Sequence, residues 1–323
     1  MIDFCTNNLY WNIALFVIGV VVLIKASDIF VEAASLIARR SGVSELVIGL
    51  TLVSIGTSLP ELATNIIACL QKQSEIAMGN IVGSNITNIL LILGFGVTLL
   101  GKVEVPKNLF YRDGTFLILS TLALCIPCWL GYPVNRAVGM IFFLILAVYI
   151  VVLCRTARED VVEEGGEGKE HATGSVGMAL LRLVFSLIGI FAGAKAMVDT
   201  VVWTAERLNI SASVIALTVV ALGTSLPELA VTIAGIIKKR NGIALGNIVG
   251  SCIMNILLIL GFSAVIYPLS VDRSMLVFHM PLLLVTCCVL CLLMRTRWRL
   301  GRLEGGILFL EYVVFMIYNF YHI

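Results

Sequence analysis

Apolar runs follow one another along almost the whole chain, separated by short polar or charged stretches. A helix that crosses a bilayer needs roughly 20 predominantly apolar residues. By that measure the pattern predicts ten spans, near 9–37, 43–70, 76–99, 113–130, 137–153, 177–204, 212–237, 243–266, 275–294 and 304–320. The first span starts too early to follow a cleaved signal peptide and carries Lys25 and Asp28, so it reads as mature structure.

Composition agrees with the pattern. Hydrophobic residues make up 59% of the chain, charged residues 13%, and the mean hydropathy is +1.04, outside the range of soluble domains. The expected fold class is an all-α polytopic membrane protein.

Net charge of +2 says little, but the placement of charge says more. In a ten-span topology, alternate loops on one side hold 15 basic residues, including Arg39, Arg40, Lys102, Lys107, Arg295, Arg297 and Arg299. The other side holds 4: Lys72, Arg136, Arg207 and Arg273. The basic side is expected to be cytoplasmic, which puts both termini outside the cytoplasm. The longest connection, 154–176, is acidic and Gly-rich and reads as a cytoplasmic linker. The nine cysteines show no metal-binding spacing outside the lipid, and Cys125 and Cys128 fall inside a span, where apolar packing is expected. The bilayer is the expected surroundings, with no nucleic-acid partner and no obligate protein partner.

One segment occurs twice. Gly56–Gly94 and Gly223–Gly261 align without a gap, 167 positions apart, and share GTSLPEL and GNIVGS. Each half holds five spans, an odd number, so the second copy crosses the membrane in the opposite sense. Loop charge agrees: QKQSE in the first copy stands where KKRNG stands in the second. The expected organisation is a first five-helix repeat at 1–153, the linker at 154–176 and an inverted five-helix repeat at 177–323. Secondary transporters use such repeats around a midplane site that each half can open in turn.

Within each GTSLPEL, Pro60 or Pro227 removes a helix hydrogen bond and breaks the span. Carbonyls at Gly56, Thr57, Gly223 and Thr224 can then turn toward a ligand. Glu61 and Glu228 follow the prolines and are the acids deepest in the paired segments. A carboxylate in lipid needs a cation or a proton. Four carboxylate oxygens with the Thr57 and Thr224 carbonyls give about six oxygen ligands, the low end of what calcium takes, with a charge that matches one divalent ion. No His or Cys adjoins these acids, which disfavours zinc, copper or nickel. Ser84 and Asn88, and Ser251 and Asn255, are spaced by four and share a helical face. With Ser58 and Ser225 they suit sodium beside the same carboxylates, and shared ligands would couple the two ions by competition. Asn80 and Asn247 read either as part of this cluster or as polar helix packing. Lys25 with Asp28, and Lys195 with Asp199, are expected as helix-end or intra-bundle ion pairs in preference to ligands.

On these motifs the chain resembles the calcium/cation antiporter superfamily, specifically prokaryotic sodium/calcium exchangers. The resemblance implies that Glu61, Glu228 and the carbonyls of Thr57 and Thr224 bind calcium. It also implies that Ser58, Ser225, Ser84 and Ser251, with backbone oxygens of Ser54 and Ala221, complete sodium sites, and that Asn88 and Asn255 fill the remaining positions. It further implies a prokaryotic inner-membrane location, Na+ and Ca2+ as substrates and no cofactor. Some relatives carry Asp where this chain has Asn255, and with two central acids the expected transport is independent of potassium.

Calcium/proton exchange is the close alternative, because buried carboxylates also carry protons. A calcium-permeable channel would likewise use acids and carbonyls. An enzyme is disfavoured, since none of His171, His279 and His322 adjoins the repeats and no nucleophile–base pair is evident.

Overall fold

The computed structural model describes residues 9–40, 54–163, 175–237 and 241–321. The first half comprises α1 (Leu9–Arg40), α2 (Ser54–Thr57), α3 (Leu59–Leu70), α4 (Ser74–Leu100), strand β1 (Val103–Glu104), α5 (Leu109–Trp129) and α6 (Arg136–Glu163). The second comprises α7 (Val176–Leu208), α8 (Ala212–Thr224), α9 (Leu226–Ile237), α10 (Ala244–Ile266), α11 (Met275–Arg297), strand β2 (Arg299–Leu300) and α12 (Arg302–Tyr321). Seven of these helices are long and apolar enough to cross a membrane alone, and the bent pair α8–α9 makes up to eight. Part of the expected span 43–70, its residues 43–53, lies outside the described residues.

Burial ranks the helices. In α4 and α10, 83% of the apolar window is buried inside the protein, against 24% in α1 and 22% in α7. The two motif-bearing helices therefore form the centre, while α7 turns Val184, Phe185 and Ile188 outward as a lipid-facing surface would.

Small residues set the closest approaches. A Cβ on Gly83 of α4 would sit 2.7 Å from the Leu217 Cα of α8, and one on Gly193 of α7 would sit 2.7 Å from the Gly19 carbonyl oxygen of α1. Close backbone packing of this kind is how helices gain contact in lipid, where no hydrophobic force drives them together.

α5 and α11, the helices that follow the two copies of the duplicated segment, run antiparallel. β1, before α5, pairs with β2, after α11, with Val103 opposite Leu300. At the other end of α5, Val134 bridges Leu269, which precedes α11. Between these ends Cys291 Sγ donates to the Gly114 carbonyl, Thr121 meets Cys287 at 3.6 Å, and Trp129 Nε1 donates to the Leu276 carbonyl at 3.2 Å. As α5 ascends, its partners on α11 descend.

α5 begins at Leu109 with a π-helical turn, four residues before the expected 113, which puts Asp113 within the helix and not at its first position. Asp113 is buried against Arg112, which donates to it at 2.9 and 2.8 Å, and against the Tyr149 hydroxyl at 3.0 Å; that pairing lets a charge enter the helical region. α6 continues through Glu163 into the expected linker, through Arg, Ala and Glu residues that favour helix; residues 164–174 lie outside the described residues. Lys195 and Asp199 do pair, at 2.9 Å, and Asp199 also accepts from Gln71 Nε2 at 2.6 Å. Lys25 and Asp28 do not: both are exposed on α1, with no ion pair between them.

Candidate cation site

The two GTSLPEL segments each break their helix at the serine. Ser58 has φ −87° and ψ 6°, and Ser225 has φ −85° and ψ 8°. Across the second break the axis bends by 44°. Pro60 stands in the first turn of α3, where its missing N–H costs least, and Pro227 holds the same position in α9. Each break thus sets a glutamate in the first turn of a new helix, where the helix dipole favours negative charge. Glu61 and Glu228 are both 0% exposed.

The carboxylates are held mostly from across the repeat. Glu61 Oε1 accepts from Ser225 Oγ at 3.1 Å. Glu228 Oε1 accepts from Ser58 Oγ at 3.3 Å and from Ser251 Oγ at 3.2 Å. The second oxygen of each acid, Oε2, is buried with no hydrogen-bond partner. In apolar surroundings an unpaired carboxylate oxygen is expensive, so both oxygens are directed acceptors for a positive charge.

A second tier surrounds them with the same two-fold logic. Thr224 Oγ1 donates to Asn80 Oδ1 at 3.2 Å, and Thr57 Oγ1 to Asn247 Oδ1 at 3.3 Å. Ser84 lies 3.5 Å from Thr224, and Ser251 lies 3.5 Å from Thr57. Asn80 Nδ2 donates to Asn65 Oδ1 at 2.7 Å, and Asn247 Nδ2 to Thr232 Oγ1 at 3.1 Å. Asn80 and Asn247 therefore brace the threonines of the breaks instead of serving as plain packing. Their partners Asn65 and Thr232 were missed by the sequence reading; the signal was available, since each lies four residues after its glutamate on the same helical face.

Asn88 and Asn255 sit at the start of π-helical turns, Thr87–Leu93 in α4 and Asn255–Leu260 in α10. Such turns re-aim side chains and recur at functional positions. Asn255 donates to Asn85 Oδ1 at 2.9 Å and keeps its own Oδ1 unpartnered. Asn88 has both amide atoms buried and unpartnered. The two-fold fails here because Asn85 of the first copy is Cys252 in the second, and the Cys252 thiol instead donates to the Asn85 carbonyl at 3.9 Å.

The Ala221 carbonyl, expected as a sodium ligand, accepts from the Ser225 amide at 3.1 Å and from Thr224 Oγ1 at 3.3 Å in this conformation. Ser54 begins α2, and its side chain lies outside the described residues. Of the remaining expected residues, Thr57, Ser58, Glu61, Ser84, Thr224, Ser225, Glu228 and Ser251 meet in a buried set of oxygens carrying two acids and no imidazole, whereas Asn88 and Asn255 are buried without a hydrogen bond to it. That chemistry suits a hard cation.

The family model for sodium/calcium exchanger proteins matches residues 11–155 and 178–321, one block on each side of the linker. The chain belongs to the sodium/calcium exchanger family. It is 36% identical to the sodium/calcium exchanger MaX1 of Methanosarcina acetivorans, over 96% of this chain and 99% of the relative. It is 38% identical to the inner membrane protein YrbG of Escherichia coli, over 80% of this chain and 81% of the relative. Among solved structures it resembles the sodium-calcium exchanger NCX_Mj soaked with Na+ and Sr2+, with a TM-score of 0.66, 30% identity and coverage of 95% of this chain and 97% of that one. As an exchanger-family member the chain is a transporter protein of the membrane, and its buried carboxylate pair falls in the duplicated part of the family fold.

Proposed function

We propose that this chain is a secondary active antiporter that exchanges Na+ for Ca2+ by alternating access at a midplane site between two inverted five-helix repeats. The observation that carries this reading is the crossed arrangement at the centre: each buried glutamate is held through Oε1 by a serine of the opposite repeat and leaves Oε2 open to a cation. A site made by both halves is remade whenever the halves rock against each other, which is what alternating access requires.

Ten spans follow when α2–α3 and α8–α9 each count as one broken span and α12 as the last. The antiparallel run of α5 against α11 supports the inversion, and the loop charges support a topology with both termini outside the cytoplasm. Calcium would take the free oxygens of Glu61 and Glu228 with the carbonyls of Thr57 and Thr224. Sodium would take the same carboxylates with Ser58, Ser225, Ser84 and Ser251, and Asn88 and Asn255 would supply neutral oxygens. With two acids the site compensates one divalent ion, so transport needs no potassium and no cofactor.

The test is calcium-45 uptake by sodium-loaded proteoliposomes diluted into sodium-free or sodium-containing buffer at equal pH. Uptake should follow the outward sodium gradient and ignore potassium at fixed voltage. Uptake that follows a pH gradient and not sodium would identify calcium/proton exchange, and uptake that needs neither would identify a channel.

A further inference from the structure

The two ends of the α5–α11 pair are built alike but charged differently. At one end Val134 bridges Leu269, and at the other β1 pairs with β2. Only the β1–β2 end is strongly basic. There a cavity of about 450 Å³ is lined by Lys102, Glu104, Val105, Arg297, Trp298 and Arg299. Lys102 is engaged by Glu104 at 2.8 Å. That pairing uses the one acid of the lining, and Arg297 and Arg299 have no carboxylate partner among the described residues.

The cavity wall is fixed by Trp298. It turns the chain between α11 and β2 with φ 52°, its carbonyl accepts from the Val105 amide at 2.9 Å, and its ring packs edge-on against Phe110 with centroids 5.5 Å apart. The Arg295 guanidinium lies 5.0 Å and the Lys107 ammonium 5.8 Å from the ring centroid. Two cations over one indole beside two guanidiniums with no carboxylate partner among the described residues leave this cavity with an excess of positive charge that an anion would balance.

The geometry points to this cavity as a binding site for the phosphodiester headgroup of an anionic phospholipid. The lipid source is favoured over a soluble anion by what borders the site. Tyr111, 59% exposed, belongs to the Trp298 aromatic cluster, and Leu100 and Leu303, 41% and 75% exposed, flank the β1–β2 ribbon. Aromatic rings at headgroup level with apolar side chains beside them mark a membrane interface, and basic pockets on that side take anionic headgroups. This site is independent of the transport site and of the ions carried.

The experiment uses the full chain in nanodiscs of phosphatidylcholine containing a minor fraction of phosphatidylglycerol, with retained lipid counted by native mass spectrometry. The wild type should retain phosphatidylglycerol selectively. The Arg297→Gln/Arg299→Gln variant should lose about 30-fold in that preference, from two charges near the surface. Arg297→Lys/Arg299→Lys should keep most of it, and Arg136→Gln/Arg273→Gln, at the other end, should match the wild type. Matching melting temperatures will establish that the variants fold. Equal retention by the Gln variant, or equal loss in the Arg136/Arg273 control, would overturn the proposal. So would displacement of the lipid by millimolar inorganic phosphate, which would make this a soluble-anion site.

Discussion

Ser225 donates its hydroxyl to Glu61 Oε1 at 3.1 Å across 164 positions of sequence, and Ser58 does the same for Glu228 across 170. Each acid is held in part by the copy to which it does not belong, Glu228 also accepting from Ser251 of its own copy. The hydroxyls occupy Oε1 and leave Oε2 buried without a partner, so the serines act on geometry as well as on charge.

Replacing either acid removes half the negative charge of the site. Glu61→Gln and Glu228→Gln should each cost at least about 3 kcal/mol of calcium binding, more than a hundredfold in affinity. Isothermal titration with calcium and sodium-driven calcium-45 flux will measure both. Retention of flux in either variant would contradict the assignment.

Ser225→Ala and Ser58→Ala keep the charge and remove the orienting bond. A hydrogen bond to a charged group contributes about 1.5–3 kcal/mol, so each change should weaken calcium by about 10- to 100-fold. A double-mutant cycle of Ser225→Ala with Glu61→Gln should be non-additive, because both changes act on one contact.

Gly83→Ala tests the packing of α4 on α8. Its Cβ would enter the Leu217 backbone, so the helices must part, at a cost of about 1–3 kcal/mol. Thermal unfolding in detergent should report a lower midpoint. An unchanged midpoint would mean that the two helices are not in tight contact.

Asp113→Asn removes the buried carboxylate that accepts two hydrogen bonds from the Arg112 guanidinium, 10% exposed, and one from the Tyr149 hydroxyl. The loss should be about 3–5 kcal/mol of stability. Because the pair lies outside the cation cluster, the flux of protein that does fold should retain its sodium dependence.

Much of this was legible in the chain itself. Duplication of GTSLPEL and GNIVGS announced two equivalent breaks, and Pro60 and Pro227 located them because a proline in mid-span has few other places to go. The spacing of Ser84 to Asn88 and of Ser251 to Asn255 placed those side chains on one face. Partnership was not legible. Nothing in the spacing says that Glu61 meets Ser225 and not Ser58, because that depends on how two halves dock. Asp113 was missed for a related reason: its charge is tolerated through Arg112 and Tyr149, and Tyr149 is contributed by another helix. Asn65 and Thr232 could have been found from their i, i+4 relation to the glutamates, had braces been sought along with ligands.

The exchange of Asn85 for Cys252 reaches beyond one lost amide. A machine of two identical inverted halves would have mirror-image end states of equal free energy, and would idle as often open to one side as to the other. Here the Asn85–Asn255 clasp exists on one side of the two-fold only, so the mirror is broken at the point where α4 and α10 cross. The two halves therefore meet through unequal contacts at the centre, and end states built from them need not be equal in free energy.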